Sequence, residues 1–177
     1  MGISGYVYGS VEAEHTHAYL WLPTLKLLKS ELHGPQPARV FDLGCGSGAF
    51  ASTLAAQGFA VTGVDPSTTG IAAARKAFPG LKLEEGSTQE DLAPRFGKSQ
   101  AVTSLEVVEH VYAPRELAKR VYDLLVPGGL AIISTPYNGY LKNLTIAVLE
   151  GYDRHHNPLW DHGHIKFWSP KTLGGGF

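Results

Sequence analysis

The stretch Arg39-Val-Phe-Asp-Leu-Gly-Cys-Gly-Ser-Gly48 carries the chain out of a strand, round a turn and into a helix. Branched and aromatic apolar residues between Val40 and Leu43 give the pattern of a buried strand, and the apolar run Ala49 to Ala56 gives the helix. Gly44, Gly46 and Gly48 lie between them as a tight turn. Side chains there would block the turn and keep a ligand from the backbone amides at the helix N-terminus, which offers donors and a partial positive charge. A nucleotide-like ligand is expected on this loop.

The spacing Gly44-x-Gly46-x-x-Ala49 also satisfies the dinucleotide-binding fingerprint with alanine in its last place, so the glycines alone leave an NAD enzyme open. Asp42 tips the balance. A carboxylate at the strand end is a poor neighbour for an anionic pyrophosphate and a good one for a cation. S-adenosylmethionine carries a sulfonium and an ammonium and needs no phosphate cradle. Asp42-Leu-Gly-Cys-Gly-Ser-Gly48 resembles the first motif of the class I S-adenosylmethionine-dependent methyltransferases. That resemblance implies cofactor contacts from Asp42, Gly44, Cys45, Gly46 and Gly48, with the amino-acid end of the cofactor near Asp42 and Gly44.

The length of 177 residues suits one domain, and 44% hydrophobic content supplies a core. Fifteen basic residues face sixteen acidic ones for a net charge of −1, without a basic run or an acidic tail. This balance disfavours broad binding to nucleic acid and favours a small-molecule partner. Cys45 is the only cysteine, so an internal disulfide and a cysteine-rich zinc site are excluded and a reducing compartment is expected. With neither a signal-peptide pattern nor an apolar run of about 18 residues, a soluble, cytoplasmic protein is expected.

Residues 1 to 37 form an N-terminal cap in this reading: a loose arm over 1 to 16, then an amphipathic helix from His17 to Leu32 that tolerates Pro23 and stops at Gly34-Pro-Gln-Pro37. The family resemblance makes Tyr6, Tyr8, His15 and Tyr19 candidates for covering the cofactor and shaping the acceptor pocket. The cofactor-binding core spans 38 to 140. Phe59 to Asp65 reads as a second strand, and Asp65 lies 21 residues beyond Gly44, near the offset at which a carboxylate accepts both ribose hydroxyls. Asp65-Pro66-Ser67 also suits a helix N-cap or turn, and Pro66 is carried along as a cofactor neighbour. Ser67 to Phe78 is a helix and Leu81 to Glu85 a short strand. Related enzymes place an acid after this strand for the adenine amine; here Ser87 and Thr88 stand there, with Ser87 the candidate and Glu90 and Asp91 a solvated helix start.

Gln100 to His110 holds the fourth strand and its catalytic-edge loop, with Ser104 and Leu105 at the carboxyl end where open α/β sheets bind ligands. A helical turn would put Glu106, Glu109 and His110 on one face, able to hold a divalent cation or to offer a general base. Glu106-Val-Val-Glu-His110 resembles the matching stretch of the ubiquinone-biosynthesis O-methyltransferases, which implies magnesium at these three residues; Leu105 and Glu106, at the strand end, are cofactor-contact candidates. The other reading is a polar loop that orders the methionine end of the cofactor. Pro114 to Leu125 is a helix, Val126-Pro-Gly-Gly129 a turn and Leu130 to Ser134 the fifth strand. The Pro-Gly-Gly before an apolar strand and Ser134-Thr-Pro-Tyr-Asn138 extend the resemblance to about residues 39 to 140.

Residues 141 to 177 form an acceptor-side segment: an apolar helix from Leu141 to Leu149, then a run with His155, His156, His162 and His164, and a helix start at Ser169-Pro-Lys-Thr-Leu173. His110 heads the candidate bases, with His155, His162 and His164 behind it. Only 42 residues follow Thr135, too few for the terminal strand pair usual in the family, so a C-terminal truncation is expected. With it goes an uncovered edge at Leu130 to Ser134 that invites homo-oligomerisation. The expected fold is a Rossmann-like α/β sheet, mostly parallel, in strand order 3-2-1-4-5 with helices on both faces. The expected function is methyl transfer from S-adenosylmethionine to a small-molecule acceptor, most simply at oxygen. An NAD-dependent oxidoreductase and a non-catalytic S-adenosylmethionine-binding fragment stay open.

Overall fold

The computed structural model describes residues 18–137, 139–149, 151 and 163–177. The N-terminal arm and the candidates Tyr6, Tyr8, His15, His155 and His162 lie outside the described residues. Five strands, β1 (Arg39–Leu43), β2 (Ala60–Asp65), β3 (Lys82–Glu85), β4 (Ser99–Leu105) and β5 (Leu125–Ser134), make one parallel sheet in the expected order β3-β2-β1-β4-β5. The central strand β1 is buried from Val40 to Leu43, as an apolar run covered on both faces requires.

The helices are α1 (Ala18–Glu31), α2 (Ala49–Ala56), α3 (Thr68–Ala77), α4 (Ala93–Phe96), α5 (Pro114–Leu124), α6 (Gly139–Val148) and α7 (Pro170–Gly174). Successive strand side chains point to opposite faces, and the core divides accordingly. Val40 and Ala101 pack with Leu28 of α1 and with Phe50 and Leu54 of α2, while Phe41, Leu43 and Val102 pack with Leu117, Val121 and Leu124 of α5. Those three α5 residues recur at the spacing that lines one helix face. Pro23 sits inside α1 as expected, at the loss of one helical hydrogen bond.

Two details depart from the sequence expectations. Val126-Pro-Gly-Gly129 is not a free turn but the start of β5, with Gly128 at φ 76° and a register shift opposite Ser99 and Ala101. Proline is tolerated there because β5 is the edge of the described sheet and no strand waits for its missing amide. The short helix α4 was not anticipated, since four residues carry no readable period. No helix among the described residues is long and apolar enough to cross a membrane.

Candidate active site

The order in which strands are added reverses between β1 and β4, opening a crevice at the carboxyl ends of these two parallel strands. Asp42 stands there, nearly fully buried, in register with Thr103 of β4. The Thr103 hydroxyl donates to Asp42 Oδ1 at 2.8 Å, and Oδ2 has no partner among the described residues. Burial pushes the Asp42 carboxyl up to about 7, against the Thr103 hydroxyl and with help from the charge of Asp65. Sequence reasoning passed over Thr103; its signal was a hydroxyl in the middle of a central, apolar strand.

The amides of Gly44 and Cys45 both donate to the Val64 carbonyl, at 2.7 and 3.1 Å. Gly44 and Gly48 are in the left-handed region at φ 86° and 80°. Their freedom serves protein packing as well as ligand access. A Cβ on Gly44 would collide with Val107, and one on Gly48 would lie 2.9 Å from Leu83 Cδ1. The Cys45 thiol is pushed well above its usual value by burial and by Asp42 and Asp65, so it is a neutral packing group and not a nucleophile.

Asp65 ends β2, buried, with Oδ2 accepting the Gly46 amide at 2.9 Å and Oδ1 the Ser67 amide at 2.8 Å. It therefore ties the glycine loop to the start of α3, where Ser67 caps the helix by accepting from the Gly70 amide. The turn-forming role weighed for Asp65 is present. Pro66 is exposed between the two. The groups of Ser87 are engaged locally: its amide donates to Glu90 Oε1 at 3.0 Å and its hydroxyl accepts from the Gln89 amide at 3.2 Å. Glu90 thus closes the loop after β3 instead of starting a helix.

Leu105 closes β4, and beyond it only Val108–His110 forms a 3₁₀ turn. Glu106 lies outside that turn at φ 57°, and its carboxylate accepts the Ser134 hydroxyl at 2.7 Å. The single helical face expected for Glu106, Glu109 and His110 is therefore not formed. His164 takes the third place instead: one ligand atom each from Glu109, His110 and His164 lies within 4.8 Å of the others. The two imidazoles meet edge to face at 5.0 Å, and the segment carrying His164 is pinned by the Ile165 and Lys166 amides, which donate to the Glu109 carbonyl at 3.0 and 3.1 Å.

Glu109 is buried, with neither carboxylate oxygen hydrogen-bonded among the described residues, and His110 Nε2 and His164 Nε2 lie 3.9 and 4.0 Å from Oε1. Burial pushes Glu109 up to about 7, and the charge of Glu106 adds to this. The Thr135 hydroxyl favours the ionised form without reaching hydrogen-bond geometry, and it too has no partner among the described residues. His164 is held below its usual value by burial and by His110. Tyr19 of α1 reaches the same corner: its phenol is raised by burial and by the charges of Glu106 and Glu109. Asp42, Ser104, Glu109 and Thr135, all with unsatisfied buried oxygens, stand together along the carboxyl edge of β1, β4 and β5. A groove of about 370 Å³ at the opposite, amino end, lined by His33, Gln36, Gln100 and Val126, includes none of these residues.

Residues 13–176 match the family described as a methyltransferase domain. A ubiquinone biosynthesis O-methyltransferase of Caulobacter sp. (strain K31) is 40% identical over 140 residues, covering 76% of this chain and 55% of the relative. The corresponding enzyme of Burkholderia thailandensis is 32% identical over 158 residues, covering 86% of this chain and 68% of its own length. The chain thus spans little more than half of the first of these relatives. Among solved structures, an S-adenosylmethionine-dependent methyltransferase from Mesorhizobium loti aligns with a TM-score of 0.52 at 28% identity, over 63% of this chain and 53% of that one. An amino pentose methyltransferase from Micromonospora echinaspora, solved with S-adenosylmethionine bound, shares the fold with a TM-score of 0.59 at 24% identity, over 76% and 59%. The strand order, the glycine loop between two acids and the family match over nearly the whole sequence agree: the chain belongs to the methyltransferase domain family.

Proposed function

We propose that this protein transfers a methyl group from S-adenosylmethionine to a small-molecule hydroxyl. The observation that carries this reading is Asp42 Oδ2, a buried carboxylate oxygen beside the glycine loop without a partner among the described residues. Such an oxygen fits a cationic ligand and opposes a pyrophosphate, which also speaks against the NAD reading. When bound, S-adenosylmethionine supplies an electrophilic methyl on a cationic sulfur. Asp42 would hold the amino-acid end, and Asp65 would accept the ribose hydroxyls while keeping the loop closed through Gly46.

His110 is the base in this reading. A carbonyl only accepts, so the 3.3 Å contact of Nδ1 with the Gly163 carbonyl supports a tautomer with the ring proton on Nδ1, in which Nε2 would be the basic nitrogen. His110 Nε2 would take the proton that the acceptor hydroxyl gives up. Glu109, 3.9 Å away, would steady the imidazolium. Positioning and exclusion of water contribute most of the remaining acceleration.

Calorimetry with S-adenosylhomocysteine tests the cofactor half. Asp65→Ala removes an acceptor for two loop amides and for the ribose, so affinity should fall tenfold or more. Unchanged binding would reject the assignment.

A second reading is favoured by the proximity of Glu109, His110 and His164. One carboxylate and two imidazoles can hold a divalent metal, and this donor set suits zinc or manganese better than magnesium, which prefers oxygen ligands. Glu106, bound to Ser134, would not be among the ligands.

The outer edge of β5 pairs with no other described strand and offers its amides and carbonyls to a second copy. Sedimentation velocity at several concentrations should show reversible self-association; a single monomer boundary throughout would argue that this edge is covered.

A further inference from the structure

The one non-glycine residue with positive φ among the described residues is Glu106, at 57°. Glutamate is disfavoured in the left-handed region, so something must hold it there. Ser134 does so from the end of β5, where it pairs in register with Leu105. The Glu106 amide donates both to the Ser134 carbonyl at 3.2 Å and to Ser134 Oγ at 3.1 Å, while the Ser134 hydroxyl donates to Glu106 Oε1 at 2.7 Å. One hydroxyl thus accepts from the backbone and donates to the side chain of the same residue. The turn has two consequences. Val107 is laid across Gly44, so closely that a Cβ on the glycine would collide with it. The following turn buries Val108 and Glu109 and is closed by the His110 amide donating to the Val107 carbonyl at 2.9 Å.

We infer that Ser134 is a positioning residue whose hydroxyl latches Glu106 in its left-handed turn and thereby sets the Val107 cover on the glycine loop and the affinity of the cofactor site. The effect on affinity rests on the methyltransferase reading; the latch itself does not. It acts through Glu106 and touches no reacting atom. The rival account is that packing of Val107 and Val108 dictates the turn, with Ser134 a bystander at a strand end.

The two accounts separate in a four-protein cycle of wild type, Ser134→Ala, Glu106→Gly and the double variant, with Ser134→Thr as the conservative control. Calorimetry with S-adenosylhomocysteine should show Ser134→Ala weakening affinity about tenfold, the order expected from losing two hydrogen bonds. Ser134→Thr should stay within about threefold of wild type, since it keeps the hydroxyl. In the Glu106→Gly background the same Ser134→Ala change should cost less than about threefold, because glycine takes positive φ without being held. An equal penalty in both backgrounds would overturn the latch. Amide exchange of the unliganded proteins gives a readout independent of the cofactor. The His110 amide should exchange about tenfold faster in Ser134→Ala than in wild type, with little further change in the double variant relative to Glu106→Gly. If wild type binds no S-adenosylhomocysteine, the methyltransferase reading fails while exchange still decides the latch, and an unmoved His110 amide sinks it.

Discussion

Asp42→Asn should abolish measurable S-adenosylhomocysteine binding and, at pH 8, make the unliganded protein more stable. Both effects come from one buried carboxyl that burial holds at about 7, with Oδ2 unpartnered among the described residues. Unfolded, an aspartate titrates near 4, so between roughly pH 4 and pH 7 the folded chain keeps a proton that the unfolded chain has released. The folded value is the raised one. The stability it brings is therefore fully present below about pH 4 and is lost as pH rises through about 7. Glu109, also at about 7, adds a second contribution of the same sign. Asparagine keeps an oxygen for the Thr103 hydroxyl and never has to ionise, so a gain on the order of 1–3 kcal/mol at pH 8 is expected, shrinking towards zero by pH 4. Urea denaturation at the two pH values measures it. Ligand binding runs the opposite way: the ammonium wants the ionised carboxylate, so wild-type affinity should climb up to about tenfold per unit as pH rises towards 7. Tight binding by Asp42→Asn, or affinity flat from pH 5 to 8, would remove Asp42 from the cofactor site.

The second large effect belongs to His110→Ala, which should lower methyl transfer about 10²–10⁴-fold while leaving S-adenosylhomocysteine affinity within about twofold. This separation of turnover from binding is expected because in this reading the His110 ring takes the acceptor proton with Glu109 and His164 beside it, while Asp42 and Asp65 hold the cofactor. Single-turnover assays across a panel of phenolic and other hydroxyl acceptors would measure it. A chelator distinguishes the two readings of the cluster. If turnover survives exhaustive chelation, the imidazole acts as a base. If turnover collapses and returns with zinc or manganese, the three side chains are ligands.

The strand order, the crevice and the two acids flanking the loop were legible because each rests on a local pattern. Apolar runs mark β1, β2 and β4, alternate glycines mark the turn, and the offset of Asp65 from Gly44 marks a second strand end. The failures share a different cause: they depend on which residues from distant elements meet. The helical spacing of Glu106, Glu109 and His110 was real in sequence, but Ser134, 28 positions further on, draws Glu106 out of the turn. His164 enters the cluster because the Ile165 and Lys166 amides find the Glu109 carbonyl, which no periodicity encodes. The glycines were correctly placed, yet packing against Val107 and Leu83 shares in requiring them at Gly44 and Gly48.

The docking of residues 163–177 carries a consequence for how the protein would wear out. That segment holds to the body through Trp168 and Leu173 packed on the α5 side of the sheet, the contacts of Gly163 and His164 with the His110 ring, and the two amides on Glu109. The cofactor crevice uses none of these contacts. Heat or a protease that peels the segment away would take His164 from Glu109 while leaving Asp42, Asp65 and the glycine loop assembled. Inactivation and loss of ligand grip would then occur as two separate events, and a partly aged sample would contain molecules that hold cofactor tightly and turn nothing over.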